Sequence, residues 1–172
     1  MDTLIIRQER PSEFQTIYDL VKTAFKTAKV SNGDEQDFVD KLRAGANYIP
    51  ELALVAEESG NIIGHIMLTK TYITTGDSRL EALLLAPLCV ALEYREKGVG
   101  SKLVARSFQL AKNRGFQSVF VVGNPDYYSR FGFKSSVLFG IRHVPPIPDQ
   151  FVMVYELRNG ALLGVNGTVS FS

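Results

Sequence analysis

The chain has 172 residues, of which 45% are hydrophobic and 22% charged, with a formal net charge of +1 and a mean hydropathy of +0.03; this composition fits one globular domain with a sizeable core and excludes a disordered chain. The balanced charge offers no basic excess that would announce nucleic acid or a membrane surface, the lone Cys89 excludes an internal disulfide framework, and the two histidines have no metal-ligand spacing to it. The opening MDTLIIRQERP lacks the basic-then-apolar plan of a secretion signal and no apolar run reaches the length of a membrane span, so a cytoplasmic location is expected.

Thr3 to Gln8 reads as a first strand. Pro11 to Gln15 reads as a helix start, with Ser12 and Gln15 at capping-box spacing, and Phe14, Ile17, Val21 and Phe25, flanked by Tyr18 and Ala24, form a helical stripe suited to core packing. Residues 26–33 are polar and read as a loop. Asp34 to Ala44 follows as a second helix, with Phe38, Val39 and Leu42 inward and Gly45 as its stop. A meander comes next: Leu52 to Glu58, a turn at Ser59 to Asn61, a long strand from Ile62 to Ile73, and a second turn at Thr74 to Ser78.

The central strand begins at about Leu80, and from Leu83 to Leu92 the chain is apolar almost without a break, as suits a strand covered on both faces. The composition then flips to Glu93-Tyr94-Arg95-Glu96-Lys97-Gly98-Val99-Gly100-Ser101-Lys102 and runs into an amphipathic helix. Leu103, Val104, Ser107, Phe108 and Ala111 fall on one face of that helix, Lys102, Arg106, Gln109, Lys112 and Asn113 fall on the other, and Gly115 stops it. The first N–H groups of a helix have no intrahelical partner and carry partial positive charge, so with glycines ahead of them they form a phosphate cradle, here on the amides around Lys97 to Ser101. A Walker A loop is excluded by the order Gly98-Val99-Gly100-Ser101-Lys102, and a dinucleotide fingerprint by Leu103, which stands where a third small residue is needed.

Gln117 to Val122 reads as a buried strand parallel to the central one, because a helix separates the two. Gly123 to Asp126 breaks it, Tyr127 to Phe131 suits one helical turn, and Gly132 to Lys134 begins an extended segment. Val144 to Pro148 has prolines at 145, 146 and 148 and must be irregular. Gln150 to Leu157 is the last major strand, and the glycines at 160, 164 and 167 point to a small edge hairpin in the tail.

Arg95-x-x-Gly98-x-Gly100, set between a strand, Tyr94 and a long helix, resembles the Q/R-x-x-G-x-G/A turn of the GNAT (Gcn5-related N-acetyltransferase) superfamily, which binds the pyrophosphate of acetyl-coenzyme A. Tyr128-Ser129-Arg130-Phe131-Gly132-Phe133 is similar to the second motif of that superfamily. The longer run from Asp126, together with Glu35, Leu42-Arg43, Gly64-His65 and Phe151-x-Met153-Val154, resembles its YhbS-like branch. The resemblance implies one acetyltransferase domain over residues 1–172 with an α/β (α+β) fold: a central, mixed, mostly antiparallel sheet flanked by helices, with a splayed parallel strand pair at the cofactor. It implies an enzyme that moves the acetyl group of acetyl-CoA to a primary amine by direct attack in a ternary complex, as monomer or homodimer, with no metal. A non-catalytic acetyl-CoA sensor and an enzyme using another acyl-CoA are the alternatives.

Residue by residue, the resemblance carries the pyrophosphate to Arg95, Glu96, Lys97, Gly98, Val99, Gly100 and Ser101. Lys102 is a further cation at the phosphates. The pantetheine arm goes to the backbone of Leu88, Cys89 and Val90 and to Asn124, although Leu92 stands where family members often carry proline. Tyr128 matches the general acid, for a hydroxyl of pKa about 10 beside the leaving thiolate can hand it a proton; Tyr127 is the rival hydroxyl. An amine is mostly protonated at neutral pH, so a base is expected. Glu35 is the candidate, with Glu81, Glu93 and Asp126 behind it. His65 reads as a core or cleft-lining histidine and Arg43 as a surface salt-bridge partner or a grip on an anionic acceptor. Cys89 opens a ping-pong route, against which stands its place in an apolar strand, where burial disfavours the thiolate. The acceptor itself is not named by any motif.

Overall fold

A computed structural model describes residues 3–27, 33–144 and 147–171. Residues 28–32 of the loop expected after the first helix, and Pro145 and Pro146 of the expected irregular loop, lie outside these. The elements in chain order are β1 (Leu4–Gln8), α1 (Phe14–Ala24), α2 (Glu35–Ala44), β2 (Ala53–Glu58), β3 (Asn61–Thr75), β4 (Ser78–Val90), α3 (Val99–Asn113), β5 (Ser118–Val122), α4 (Pro125–Tyr128), β6 (Lys134–Ser135), β7 (Ile141–His143), β8 (Val152–Glu156) and β9 (Gly167–Val169). The strands hydrogen-bond in the order β1-β2-β3-β4-β5-β8-β6, with β9 off this path against β3 and β7. The ladders β1–β2, β2–β3, β3–β9, β5–β8 and β6–β8 are antiparallel, and β4–β5 and β7–β9 are parallel. This is the mixed, mostly antiparallel sheet with flanking helices that the sequence leads one to expect.

The chain divides into two compact units, Met1–Thr69 with Ala86–Leu110 and Lys70–Leu85 with Ala111–Ser172, and β3 and β4 each run from one into the other. In the first unit, α1 and α2 cover one face of the strands. Ile17, Val21, Ala24 and Val39 from the helices pack with Ala53, Val55, Met67 and Cys89 from β2, β3 and β4. The period of two along a strand sends Gly64 to the opposite face, where the Leu103 side chain of α3 closes to 3.0 Å of where a Cβ would stand. The expected inner face of α3 is buried at every position: Leu103, Val104, Ser107, Phe108 and Ala111.

The start of α1 differs from expectation. Pro11–Glu13 forms a 3-10 turn, and the Glu13 carboxylate accepts the Arg10 N–H at 2.8 Å, so Glu13 supplies the cap that Ser12 and Gln15 were expected to make. Arg7, bridging Glu13 and Glu57, draws that carboxylate onto the strands.

In the second unit Ile73, Ala82, Phe120, Ile141, Val154, Leu162 and Val169 form one apolar cluster. The parallel β4–β5 ladder holds two pairs, Leu83↔Val119 and Leu84↔Phe120, both ahead of Pro87, a residue without an N–H to give a ladder. Among the described residues the tail forms no hairpin. Its one strand, β9, pairs with β3 through Ile73↔Val169 and with β7 through Ile141↔Gly167, because Val169 and Leu162 have a core to join that the local sequence does not advertise.

Candidate active site

The turn before α3, where the sequence places a phosphate cradle, is built by a change of backbone hand. Glu96 and Gly98 both have positive φ, 62° and 82°, a region that glycine enters without penalty and other residues at a cost. Gly98 meets no atom within 4 Å of an added Cβ, so it is φ and not space that calls for glycine there. The first helical hydrogen bond of α3 runs from the Lys102 N–H to the Gly98 carbonyl at 3.1 Å. The N–H groups of Val99, Gly100 and Ser101 therefore stand ahead of the ladder at the positive end of a helix of 15 residues. Val99 is buried and anchors the turn, while Glu96, Lys97, Ser101 and Lys102 are exposed beside it. The Lys97 ammonium lies 5.6 Å from the centre of the Tyr94 ring.

The Arg95 guanidinium is hydrogen-bonded to three groups of the protein. Its Nε donates to the Val90 carbonyl at 3.2 Å, Nη1 to the Thr27 hydroxyl at 3.1 Å and Nη2 to the Ala24 carbonyl at 2.8 Å. One guanidinium thus ties the cradle turn to the end of β4 and to the C-terminal end of α1. On β4, Leu88, Cys89 and Val90 are all buried, and the Ala91 N–H donates to the Ile63 carbonyl at 2.7 Å. Burial pushes the Cys89 thiol up to about 12, only partly offset by the backbone N–H of His65 that faces the sulfur. A thiol held there is not a nucleophile at neutral pH.

Asn124 and Tyr128 fall in the second unit. Asn124 caps α4: its Oδ1 accepts the Asp126 N–H at 3.0 Å, so the amide NH2 is the part of that side chain the cap does not use. Tyr128 is 8% exposed. Its ring meets Tyr127 edge-on at 5.1 Å and Phe133 at 5.8 Å, and Gly123 lies beneath it, where a Cβ would stand 2.4 Å from a ring carbon. The glycine is what lets the ring come down on the backbone. Tyr127 is half-buried, with the Arg130 guanidinium 4.5 Å above its ring. Among the alternative carboxylates, Glu81 pairs with Lys70 at 3.4 Å, Glu93 and Asp126 are exposed, and Glu35 opens α2 half-buried, where a carboxylate also suits the helix dipole.

A buried polar cluster of the first unit was not read from the sequence. The Glu9 side chain is fully buried just past β1. It accepts from Arg43 Nε at 2.9 Å and Nη2 at 3.0 Å, from the Tyr48 hydroxyl at 2.7 Å, and sits 2.7 Å from His65 Nε2. Burial alone would raise the Glu9 carboxyl, but the hydrogen bonds from His65, Arg43 and Tyr48 outweigh it and hold it down to about 2. Burial lowers His65 below its ordinary value, so its ring is neutral at pH 7, and burial with the Glu9 charge raises the Tyr48 hydroxyl. Arg43 is no surface salt bridge: its side chain is 7% exposed and stacks 4.1 Å over Phe14. The signal available in the sequence was His65 at an inward strand position and Arg43 near an inward helix position, two polar groups that each require a buried partner.

Among the described residues no group of three or more His, Cys, Asp and Glu is arranged to hold a metal ion, and no helix is long and apolar enough to cross a membrane. A family model for the acetyltransferase (GNAT) domain matches residues 5–135. The uncharacterized N-acetyltransferase YjhQ of Escherichia coli K12 is 37% identical over 129 residues, which covers 73% of this chain and 70% of YjhQ. The uncharacterized N-acetyltransferase YhbS of the same strain is 29% identical over 169 residues, covering 98% and 96%. The crystal structure of YhbS in complex with CoA aligns with a TM-score of 0.87 at 27% identity, covering 99% of this chain and 90% of that one. That of a GNAT family acetyltransferase from Brucella melitensis in complex with acetyl-CoA aligns with a TM-score of 0.76 at 27% identity, covering 98% and 96%.

Proposed function

Because the chain belongs to the GNAT acetyltransferase family, we propose that it transfers the acetyl group of acetyl-CoA to a primary amine by direct attack in a ternary complex. The observation that carries this reading is the row of amides from Val99 to Ser101 behind the left-handed turn at Gly98, a cradle for the pyrophosphate. Solved relatives at 27% identity are described as complexes with CoA and with acetyl-CoA, which supports the same ligand here.

The pantetheine arm runs along the backbone of Leu88, Cys89 and Val90 as an added strand would. The Val90 carbonyl already serves Arg95, so Val90 contributes its N–H. The amine attacks the acetyl carbon, the C–N bond forms and the C–S bond breaks, and Tyr128 gives its hydroxyl proton to the leaving thiolate. Asn124 turns its amide NH2 to the arm. The inert Cys89 thiol favours direct attack over an acetyl-cysteine. The sequence offers Glu35 as the base.

The test begins with thermal shifts in acetyl-CoA, CoA, NAD and ATP. A ligand at about a hundred times its dissociation constant stabilises by roughly 2.7 kcal/mol, so stabilisation by the two CoA compounds alone is expected. A larger shift with NAD or ATP, or none with either CoA compound, refutes the cradle. Thiol release is then screened over amines. Tyr128→Phe is expected to lower kcat by about a hundredfold or more while leaving the shift with CoA in place; turnover that survives the change removes Tyr128 as the acid.

A further inference from the structure

We propose that the groove between α1 and the segment after β4 binds a linear aliphatic ammonium that is not the amine acetylated, and that its occupant tightens acetyl-CoA. Binding in the groove stands on the groove alone; the tightening and the distinction from the acceptor rest on the acetyl-transfer reading above.

The groove lies within the first unit and encloses about 320 Å³. One wall is a stripe of α1 that runs from Thr16 past Asp19 to Thr23, two turns of helix and roughly 10 Å long. The other wall is Ala91 to Glu93. Leu20 and Ile62 add half-buried apolar surface between them. Leu92 is 62% exposed on its wall, so a chain laid along the groove covers apolar surface that water now touches. A groove that is long and partly apolar suits an unbranched alkyl chain.

The charge of the groove selects the head group. Two carboxylates line it, Asp19 and Glu93, against one guanidinium, Arg95. All three Arg95 nitrogens already donate to protein oxygens, so that cation is committed to the fold. Asp19 accepts from the Gln15 amide at 3.2 Å, a neutral donor that leaves its charge in place, and both carboxylates are exposed. The last turn of α1, where the carbonyls carry partial negative charge, reaches the groove at Thr23 and Ala24. An ammonium has the charge and the N–H donors for these groups, and both carboxylates repel an anion.

Its place separates the groove from the reacting centre. With the pyrophosphate on the amides of Val99 to Ser101 and the arm along Val90 to Leu88, the thioester comes last, at Leu88. Residues 91–95 line the groove, between that strand and the cradle, and Leu88 to Ala91 is roughly 10 Å of extended chain. An ammonium in the groove therefore sits on the phosphate side of the arm. Glu93 lies in the same connection from β4 to α3 as the cradle, so its charge opposes the coenzyme phosphates. An ammonium that cancels this charge favours the phosphates, which is why occupancy tightens the coenzyme.

The experiment begins without coenzyme. Binding of hexylamine is measured by calorimetry, with 1-hexanol as the same chain uncharged and hexanoate as the chain with the opposite charge. Hexylamine is expected to bind at least about tenfold more tightly than either; no binding of hexylamine, or equal binding of hexanol, overturns the proposal. Asp19→Asn changes an exposed position and keeps the shape of the side chain. It is expected to weaken hexylamine at least about fivefold with an unchanged thermal midpoint, and undiminished binding overturns the site. Thiol release with the amine found by the screen is expected to keep its kcat and its KM in Asp19→Asn within about twofold. A KM raised as much as hexylamine is weakened makes the groove the acceptor site and overturns its separateness. The dissociation constant of CoA, which has no acetyl group to give, is then measured with and without saturating hexylamine. A value lowered at least about threefold in the wild type and unaltered in Asp19→Asn is expected; an unchanged or raised value in the wild type overturns the tightening. CoA that fails to bind at all overturns the acetyl-transfer reading, whereas the hexylamine titration decides the groove independently.

Discussion

Gly123 carries more of the proposed chemistry than any charged residue beside it. Its Cα lies under the Tyr128 ring, and an added methyl would stand 2.4 and 2.8 Å from two ring carbons. The ring cannot yield easily, because Tyr127 and Phe133 hold it edge-on from other sides. Gly123→Ala is therefore expected to destabilise the protein by about 1–3 kcal/mol, the usual cost of overpacking, and to lower kcat by displacing the hydroxyl. Urea unfolding and thiol release measured on the same preparation check it. A variant as stable and as active as the parent means that the ring is free to move and that Tyr128 is not held in one place. At the same scale, Arg43 was misjudged from sequence: a guanidinium near a helix end looks solvated until the buried carboxylate beside it is known.

The α3 helix and the turn before it were the most legible element, since its glycines, its apolar face and its stop are all local features. What the local pattern does not contain is the brace from Arg95 to α1 and β4. Arg95→Lys keeps the charge but replaces a planar fork with a single ammonium, which cannot reach the Val90 and Ala24 carbonyls and the Thr27 hydroxyl together. The expected result is a KM for acetyl-CoA raised by about five- to twentyfold with a smaller change in kcat, as the cradle loses its support. A direct phosphate contact instead would make the weakening steeply dependent on salt, so CoA binding measured at low and high ionic strength separates a brace from a ligand.

Over the whole molecule, the strands that are continuous apolar runs and the helices with a clean stripe were readable, as Leu83 to Val90 and Leu103 to Ala111 illustrate. The polar cluster on Glu9 was not, because its members come from four separate segments and His65 lies 56 positions from Glu9. Strand β9 was misread for a similar reason: its partners, Ile73 and Ile141, are remote in the chain. That cluster sets the acid stability of the fold. His65 has a lowered value when folded, so the unfolded chain takes up a proton first as the pH falls below 6.5 and stability drops with it. Glu9, at about 2 against an ordinary 4.5, adds a second loss as the pH falls through and below 4.5, and Glu13, also lowered by Arg7, falls in step with it. Urea midpoints are thus expected to be level at about pH 7 to 8 and to decline in two stages below, with His65→Gln removing the upper stage only. A midpoint unchanged between about pH 7 and 5 contradicts a neutral, buried His65.

The three bonds of Arg95 have a thermodynamic corollary. The end of α1 and the turn before α3 share one side chain, so if acetyl-CoA binds that turn as proposed, a ligand that shifts either must change the other's affinity, and by linkage the change is the same in both directions. An acceptor that presses on the end of α1 would then tighten or loosen acetyl-CoA by the factor with which acetyl-CoA alters it. The degree to which each substrate helps or hinders the other would be written in one arginine.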